Sequence, residues 1–301
     1  MKRTVFAIGL IALSIAGCSE SKPVVKPVDA DLDLYNNTAR LEFAGGSPTL
    51  AAAAYTKALN RARVIDDSAS ISTAAYNLAV AKAAMADYSS ALISLDEADH
   101  ETLRSGGNLA DSLLVRSRVL LEMKRYSDSA AVASSVVSRE GSKPDDNQKL
   151  QAWVVQGLAA CAMKDVAAAN HALSEARAIK TDPIGESAVL GLAGEVDLLS
   201  NNLAAAVEDF DKQAELARSA KLYRDMAKAL AKSGRAAMAA GKPAVAADRL
   251  YRAARAATGR GEANAVALQA EALSAAQAAG DAELVKLIES LRVATTQQSP
   301  R

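Results

Sequence analysis

One spacing governs what this chain can fold into. From about residue 31 onward, three positions recur six times at intervals of 12 and 7 residues. They are Ala39, Ala51 and Ala58; Ala79, Ala91 and Ala98; Ser117, Ser129 and Val136; Gly157, Ala169 and Ala176; Gly194, Ala206 and Gln213; and Gly234, Ala246 and Ala253. All but Val136 and Gln213 are small. Four residues after each middle member stands a larger apolar residue, namely Tyr55, Leu95, Leu173, Phe210 and Leu250, with Ala133 the exception. Counted between first members, the units follow one another at 40, 38, 40, 37 and 40 residues. A fixed internal spacing inside a drifting outer period is what stacked copies of one supersecondary unit produce. Half of the residues are apolar yet only 4% are aromatic, and alanine carries the excess. Alanine is the best helix former, is depleted in strands, and lets backbones approach closely. The expectation is an all-α fold of closely packed helices. An Ala-rich helical bundle is the competing architecture, but a bundle has no need of one interval repeated six times.

In this spacing the chain resembles the tetratricopeptide repeat, a helix-turn-helix whose small residues lie where its two helices cross. The first member of each triplet then falls on helix A and the other two on helix B. Tyr35 and Trp153 take the aromatic place near the start of helix A in units one and four, although most units lack the family's Leu-Gly and Tyr pair. The resemblance implies an α-solenoid of about six hairpins. The family period is about 34 residues, so the extra residues are expected after helix B, in the connections between units. Those connections carry breakers: Gly106-Gly107, Gly141 with Pro144, Pro183 with Gly185, and Gly259 with Gly261. Turns inside units read as Asn201-Asn202 and Gly241-Lys242-Pro243. After Glu262 two more helical stretches, divided by Gly280-Asp281, read as a degenerate seventh pair that caps the stack. The solenoid is expected over residues 31–294 and a polar tail over 295–301.

In the family, helix A lines a concave groove. Carried over position by position, the resemblance implies that the groove holds Asp33, Asn36 and Arg40 in unit one and Tyr76 in unit two. Asp111 and Arg118 follow in unit three, Gln151 in unit four, Glu195 in unit five, and Lys228 and Arg235 in unit six. Phe43, Leu121, Leu158 and Met238 would supply apolar pockets. Lys228, Lys232 and Arg235 fall about one helical turn apart and share a face. Residues 29–101 carry eleven acids against five bases, and residues 218–260 carry eleven bases against two acids. A basic pole of this kind steers an acidic partner segment, or anionic head groups, onto the far end. The expected partner-binding residues are therefore Lys228, Lys232, Arg235, Arg118, Asp111, Arg40, Asn36 and Tyr76. The carboxylate clamp of chaperone-binding members is not carried over. Lys228 and Lys232 match its last basic pair, but Leu158, Gly191 and Glu195 stand where it needs Asn and Lys.

Catalytic chemistry finds little to build on. The chain has two histidines and two cysteines. His100, near Asp96, Asp99 and Glu101, reads as part of a solvated acidic loop rather than a cation site. Cys161 and His171 could form a dyad, but Cys161 falls in an Ala-Ala-Cys-Ala-Met run where a small core residue is the ordinary explanation. No nucleophile elbow, phosphate loop, zinc spacing or metalloprotease motif occurs. The expectation is no enzyme, no metal and no cofactor.

The chain opens Met1-Lys2-Arg3, runs apolar from Val5 to Ala16, and reaches Gly17-Cys18. The run is shorter than the roughly 20 residues a bilayer span needs. It resembles a bacterial lipoprotein signal peptide ending in a lipobox. That resemblance implies a signal over residues 1–17, a covalent lipid on Cys18, and an extended tether over 18–30 broken by Pro23 and Pro27. With Cys18 acylated, Cys161 has no disulfide partner. Ser19, where the family's inner-membrane retention signal would be Asp, points to the outer membrane facing the periplasm. The near-neutral charge does not suggest nucleic acid. The whole reads as a membrane-anchored scaffold for envelope protein partners, in envelope assembly or in secretion, pilus or cell-wall machinery. A homodimer is compatible with a stack that has exposed ends. A glycan- or small-ligand-binding lipoprotein is the alternative.

Overall fold

The structure is a computed structural model that describes residues 29–138 and 144–298. The signal segment, Cys18, the tether up to residue 28, Gly141 and residues 299–301 lie outside the described residues. Among the described residues fourteen α-helices follow one another and no strand occurs. α1 (Ala30–Ala44) turns back into α2 (Pro48–Val64), and α3 (Ser68–Ala84) into α4 (Tyr88–Arg104). α5 (Ala110–Glu122) pairs with α6 (Tyr126–Ser138), and α7 (Asp146–Met163) with α8 (Val166–Ala178). α9 (Pro183–Leu199) pairs with α10 (Leu203–Ser219), and α11 (Tyr223–Ala239) with α12 (Pro243–Gly259). α13 (Ala265–Ala279) and α14 (Ala282–Gln298) close the stack on either side of Gly280. α14 continues to Gln298, so the stretch read as a polar tail from Thr295 is helical as far as that residue.

The triplets explain the pairing. Their first and middle members are all buried, from Ala39 and Ala51 to Gly234 and Ala246. The larger residue four places on packs into the crossing they leave. At Gly194 an added Cβ would lie 2.5 Å from the Phe210 ring, and at Gly234 it would lie 2.6 Å from Leu250 Cγ. Only a residue without a side chain lets those helices approach so closely. Val136 is buried like the small residues it replaces, whereas Gln213 is only partly buried.

Helix starts are fixed by side chains that satisfy orphan backbone N–H groups. Asp29, Asp87, Asp165 and Asp182 each accept from an N–H three residues on, and Asp145 forms a reciprocal capping box with Gln148. Pro48, Pro183 and Pro243 begin their helices. Helix ends are fixed by a left-handed residue. Gly46, Asp66, Ala86 and Gly106 have positive φ at twenty-residue steps, and so do Asn201, Lys221, Gly241 and Gly261. The backbone then closes the turn, as where Asn202 N–H donates to Asp197 O at 2.8 Å.

This regularity corrects one expectation. Except after α6, where residues 139–145 separate it from α7 as expected, the residues beyond the family period do not form long connections between units. They extend the helices: α2, α3, α4 and α9 to α12 are 17 residues each. The turns between those units are as short as the turns inside them. The middle departs from this. α5, α6 and α8 have only 13 residues, and α4 meets α5, and α8 meets α9, more lightly than other successive helices meet. Here the inner helices touch each other instead, α5 on α7 and α7 on α9. The core is accordingly a string of local clusters along the stack rather than one centre.

Candidate partner-binding groove

In the middle of the stack, each inner helix turns one stripe of residues three or four apart toward the same space. α5 contributes Arg118, Leu121 and Glu122; α7 contributes Val154, Val155 and Leu158. α9 contributes Ile184, Ser187, Ala188 and Gly191, and α11 contributes Asp225, Lys228, Ala229 and Lys232. These stripes enclose a cavity of about 460 Å³. Its floor is apolar and its rim is charged. The small residues Ala188, Gly191 and Ala229 leave the volume open.

Arg118 also lines a second cavity of about 240 Å³, shared with Tyr76 of α3, Asp111 of α5 and Gln151 of α7. Gln148 Nε2 donates to Asp111 Oδ1 at 2.8 Å there. The groove thus runs from Tyr76 past Arg118 to Lys228. Arg118 is exposed to solvent, yet its head group stands between concave walls. That crowding lowers its pKa from the ordinary arginine value, while Asp225 and Tyr76 act in the opposite direction. Burial raises the pKa of Tyr76, Asp111 adds to the rise, and Arg118 opposes it.

Of the expected residues, the structure brings together Arg118, Leu121, Leu158, Lys228 and Lys232 in the main cavity, and Tyr76, Asp111, Gln151 and again Arg118 in the second. Met238 and Arg235 line a separate hollow with Glu271. Asn36, Arg40 and Phe43 on α1 line neither cavity; Arg40 donates to Asn37 Oδ1 on its own helix. Sequence reasoning missed Glu122, Ile184, Asp225 and Gln213.

The basic pole needs a correction. Seven of its eleven bases are paired with acids, and four of those seven pairs reach beyond the base's own helix and its end. Lys232 Nζ lies 2.7 Å from Glu195, and also sits over the Phe210 ring at 5.5 Å. Arg235 makes two bonds to Glu271, at 2.7 and 3.0 Å. Arg249 binds Asp211 at 3.0 Å and Asp248 at 2.5 Å, and Glu262 takes both Arg224 and Arg260. Lys228 makes no ion pair among the described residues. Of Lys228, Lys232 and Arg235 it is the one with no ion pair among the described residues, and it shares the cavity with Arg118.

The residues weighed for catalysis have other partners, and His100, read as part of a loop, lies within α4 with Nδ1 3.0 Å from Glu101 Oε1. The His171 ring packs edge-on against Trp153, with centroids 5.5 Å apart. Burial pushes the Cys161 thiol up to about 11, with Glu195 adding to the rise and Lys232 opposing it. Asp96 and Asp99 are taken by Arg116 at 2.8 and 2.7 Å, and Glu101 by Arg104 at 2.7 Å. Among the described residues no group of three or more His, Cys, Asp or Glu is placed to hold a metal ion, and no helix is long and apolar enough to cross a membrane.

The Rap protein complexed with Competence and Sporulation Factor superposes with a TM-score of 0.64, at 13% identity, over 89% of this chain and 77% of that one. The apo form of RapI gives 0.55, at 9% identity, over 90% and 77%. A tetratricopeptide repeat protein from Parabacteroides merdae ATCC 43184 gives 0.48, at 13% identity, over 87% and 99%. The fold is a tetratricopeptide-like α-solenoid. No protein-family model matches the chain, and no curated protein matches it. Of the positions carried over from the family's helix A, Tyr76, Asp111, Arg118, Leu121, Gln151, Leu158 and Lys228 line these two cavities, and Glu195 lines neither.

Proposed function

We propose that this protein is a non-catalytic adaptor that holds a segment of a protein partner in the groove walled by α5, α7, α9 and α11. The observation that carries this reading is the convergence of four inward stripes on one cavity, with Leu121 and Leu158 against its floor and Arg118 and Lys228 at its rim. An apolar floor with a few fixed charges suits a peptide segment, because burial gives affinity and the charges set register. Among the superposed proteins, the Rap protein was solved with a bound factor. The high thiol pKa of Cys161 and the Trp153 contact of His171 argue against a dyad. The reading needs no cofactor beyond a lipid on Cys18.

The anchoring part of the proposal rests on the basic start, the short apolar run and Gly17-Cys18. A lipidated Cys18 would hold the solenoid on a membrane surface, and Ser19 favours the periplasmic side of the outer membrane. The partners would then be envelope proteins of assembly, secretion, pilus or cell-wall machinery. In-cell crosslinking of the full chain, followed by mass spectrometry, tests the groove. A defined protein captured by the wild type and lost with Leu158→Asp is the expected result. Unchanged capture removes the groove from the proposal, and capture of glycan alone returns the ligand-binding alternative. Cys18→Ser should release the chain from membranes or stall its precursor; a mutant that still carries lipid overturns the anchor.

A further inference from the structure

Gln213 belongs to α10, an outer helix, yet its side chain lines the groove cavity, where every other helical residue comes from an inner helix. It gets there through a gap. Gly191 on α9 has no side chain, and a Cβ built on it would lie 2.5 Å from Gln213 Nε2 and 3.1 Å from Cδ. Gln213 stands at a triplet position that is alanine in four of the six units, so it takes the place of a small residue. Its Oε1 is buried and has no hydrogen-bond partner. A buried acceptor without a donor is costly, and folded proteins rarely keep one without a use. The same cavity holds Lys228, whose charge no described carboxylate pairs, while Asp225 is the acid that acts on Arg118.

We propose that Gln213 is the groove's specificity-determining acceptor: its Oε1 takes a backbone N–H of an extended partner segment whose nearby acidic side chain binds Lys228. This rests on the groove reading above and specifies its occupant. An acceptor on a two-methylene stem, seated over bare backbone, is suited to a main-chain donor, and Lys228 supplies the charge that selects an acid beside it.

The test is selection of a random peptide library displayed on phage against the full chain. Selected peptides should share Asp or Glu at one fixed position, and Lys228→Gln should erase that preference. Gln213→Met, which keeps the shape and removes the acceptor, should weaken the selected peptides about three- to tenfold, the worth of one net hydrogen bond. Gly191→Ala should do the same by pushing the flexible amide aside, and the double variant should lose no more than either alone. Circular dichroism melting of each variant verifies that it is folded. Full binding by folded Gln213→Met and Gly191→Ala, or peptides with no acidic position, overturns the proposal and leaves the groove reading standing. Failure to select any peptide, or peptides that bind Leu158→Asp unchanged, overturns the groove reading and this proposal with it.

Discussion

The flanks and the middle of this molecule solve the same packing problem differently. In the flanks, helices of 17 residues and three-residue turns repeat so evenly that left-handed residues fall at twenty-residue steps, and large residues such as Phe210 and Leu250 seat on bare glycines. In unit three the helices shorten to 13 residues and the seating residue is Ala133. Length and size fall together there, because a short hairpin with a small seating residue has less surface to offer its neighbours. The difference teaches that the opening lies at the junction of the two regimes. The groove forms where α5 and α7 of the uneven middle share its walls with α9 and α11 of the even flank.

Four measurements test that contrast. The largest effect belongs to a flank. Phe210→Ala should cost about 3–5 kcal/mol in urea unfolding of the full chain, since it empties a fully buried site over Gly194; a loss below about 1 kcal/mol would mean the flank is no better packed than the middle. Next is the crowding of the inner helices. With a thiol pKa raised from 9.0 to about 11, Cys161 in a Cys18→Ser chain should alkylate about a hundredfold more slowly at pH 8 than a free cysteine, and its rate should climb until the pH passes about 11. The sign follows from burial: the folded state holds the proton, so the reactive thiolate is scarce at neutral pH. Third, Ala133→Leu should destabilise by about 1–3 kcal/mol, because Ala133 is fully buried and three added carbons must displace its neighbours. A gain in stability would show that unit three is underfilled rather than built small. The smallest effect lies in the turns. Ala86 has φ of +60°, so Ala86→Gly should gain up to about 1 kcal/mol in thermal unfolding. No gain there would mean that the left-handed alanine is already relaxed.

The fold was legible because small residues at helix crossings leave few alternatives: Gly194 and Gly234 mark close approaches that larger side chains cannot make. The turns at Ala86, Lys124 and Lys221 were not legible, since nothing local distinguishes an alanine or lysine that must turn left-handed. The groove was half legible. Helix A positions such as Arg118, Leu158 and Lys228 follow from the family pattern carried over by resemblance, whereas Asp225 and Glu122 enter because the real stripes are wider than that rule. The basic pole was misread for a reason of distance. Arg235 finds Glu271 36 residues away, and Arg224 and Arg249 find acids 38 residues away. A charge count over any local window sees one side of each such pair. Gln213 stood out as a break in the triplet pattern, but its destination depends on a glycine in the neighbouring helix.

Because each flank turn reverses the chain after a fixed step, length in this molecule is quantised. Losing one twenty-residue step would reverse the direction of every helix that follows and exchange inner for outer faces. Losing two, for instance residues 68–107, returns inner helix to inner helix. A lineage of such chains can therefore lengthen or shorten its arms only in forty-residue quanta if the groove is to keep facing inward.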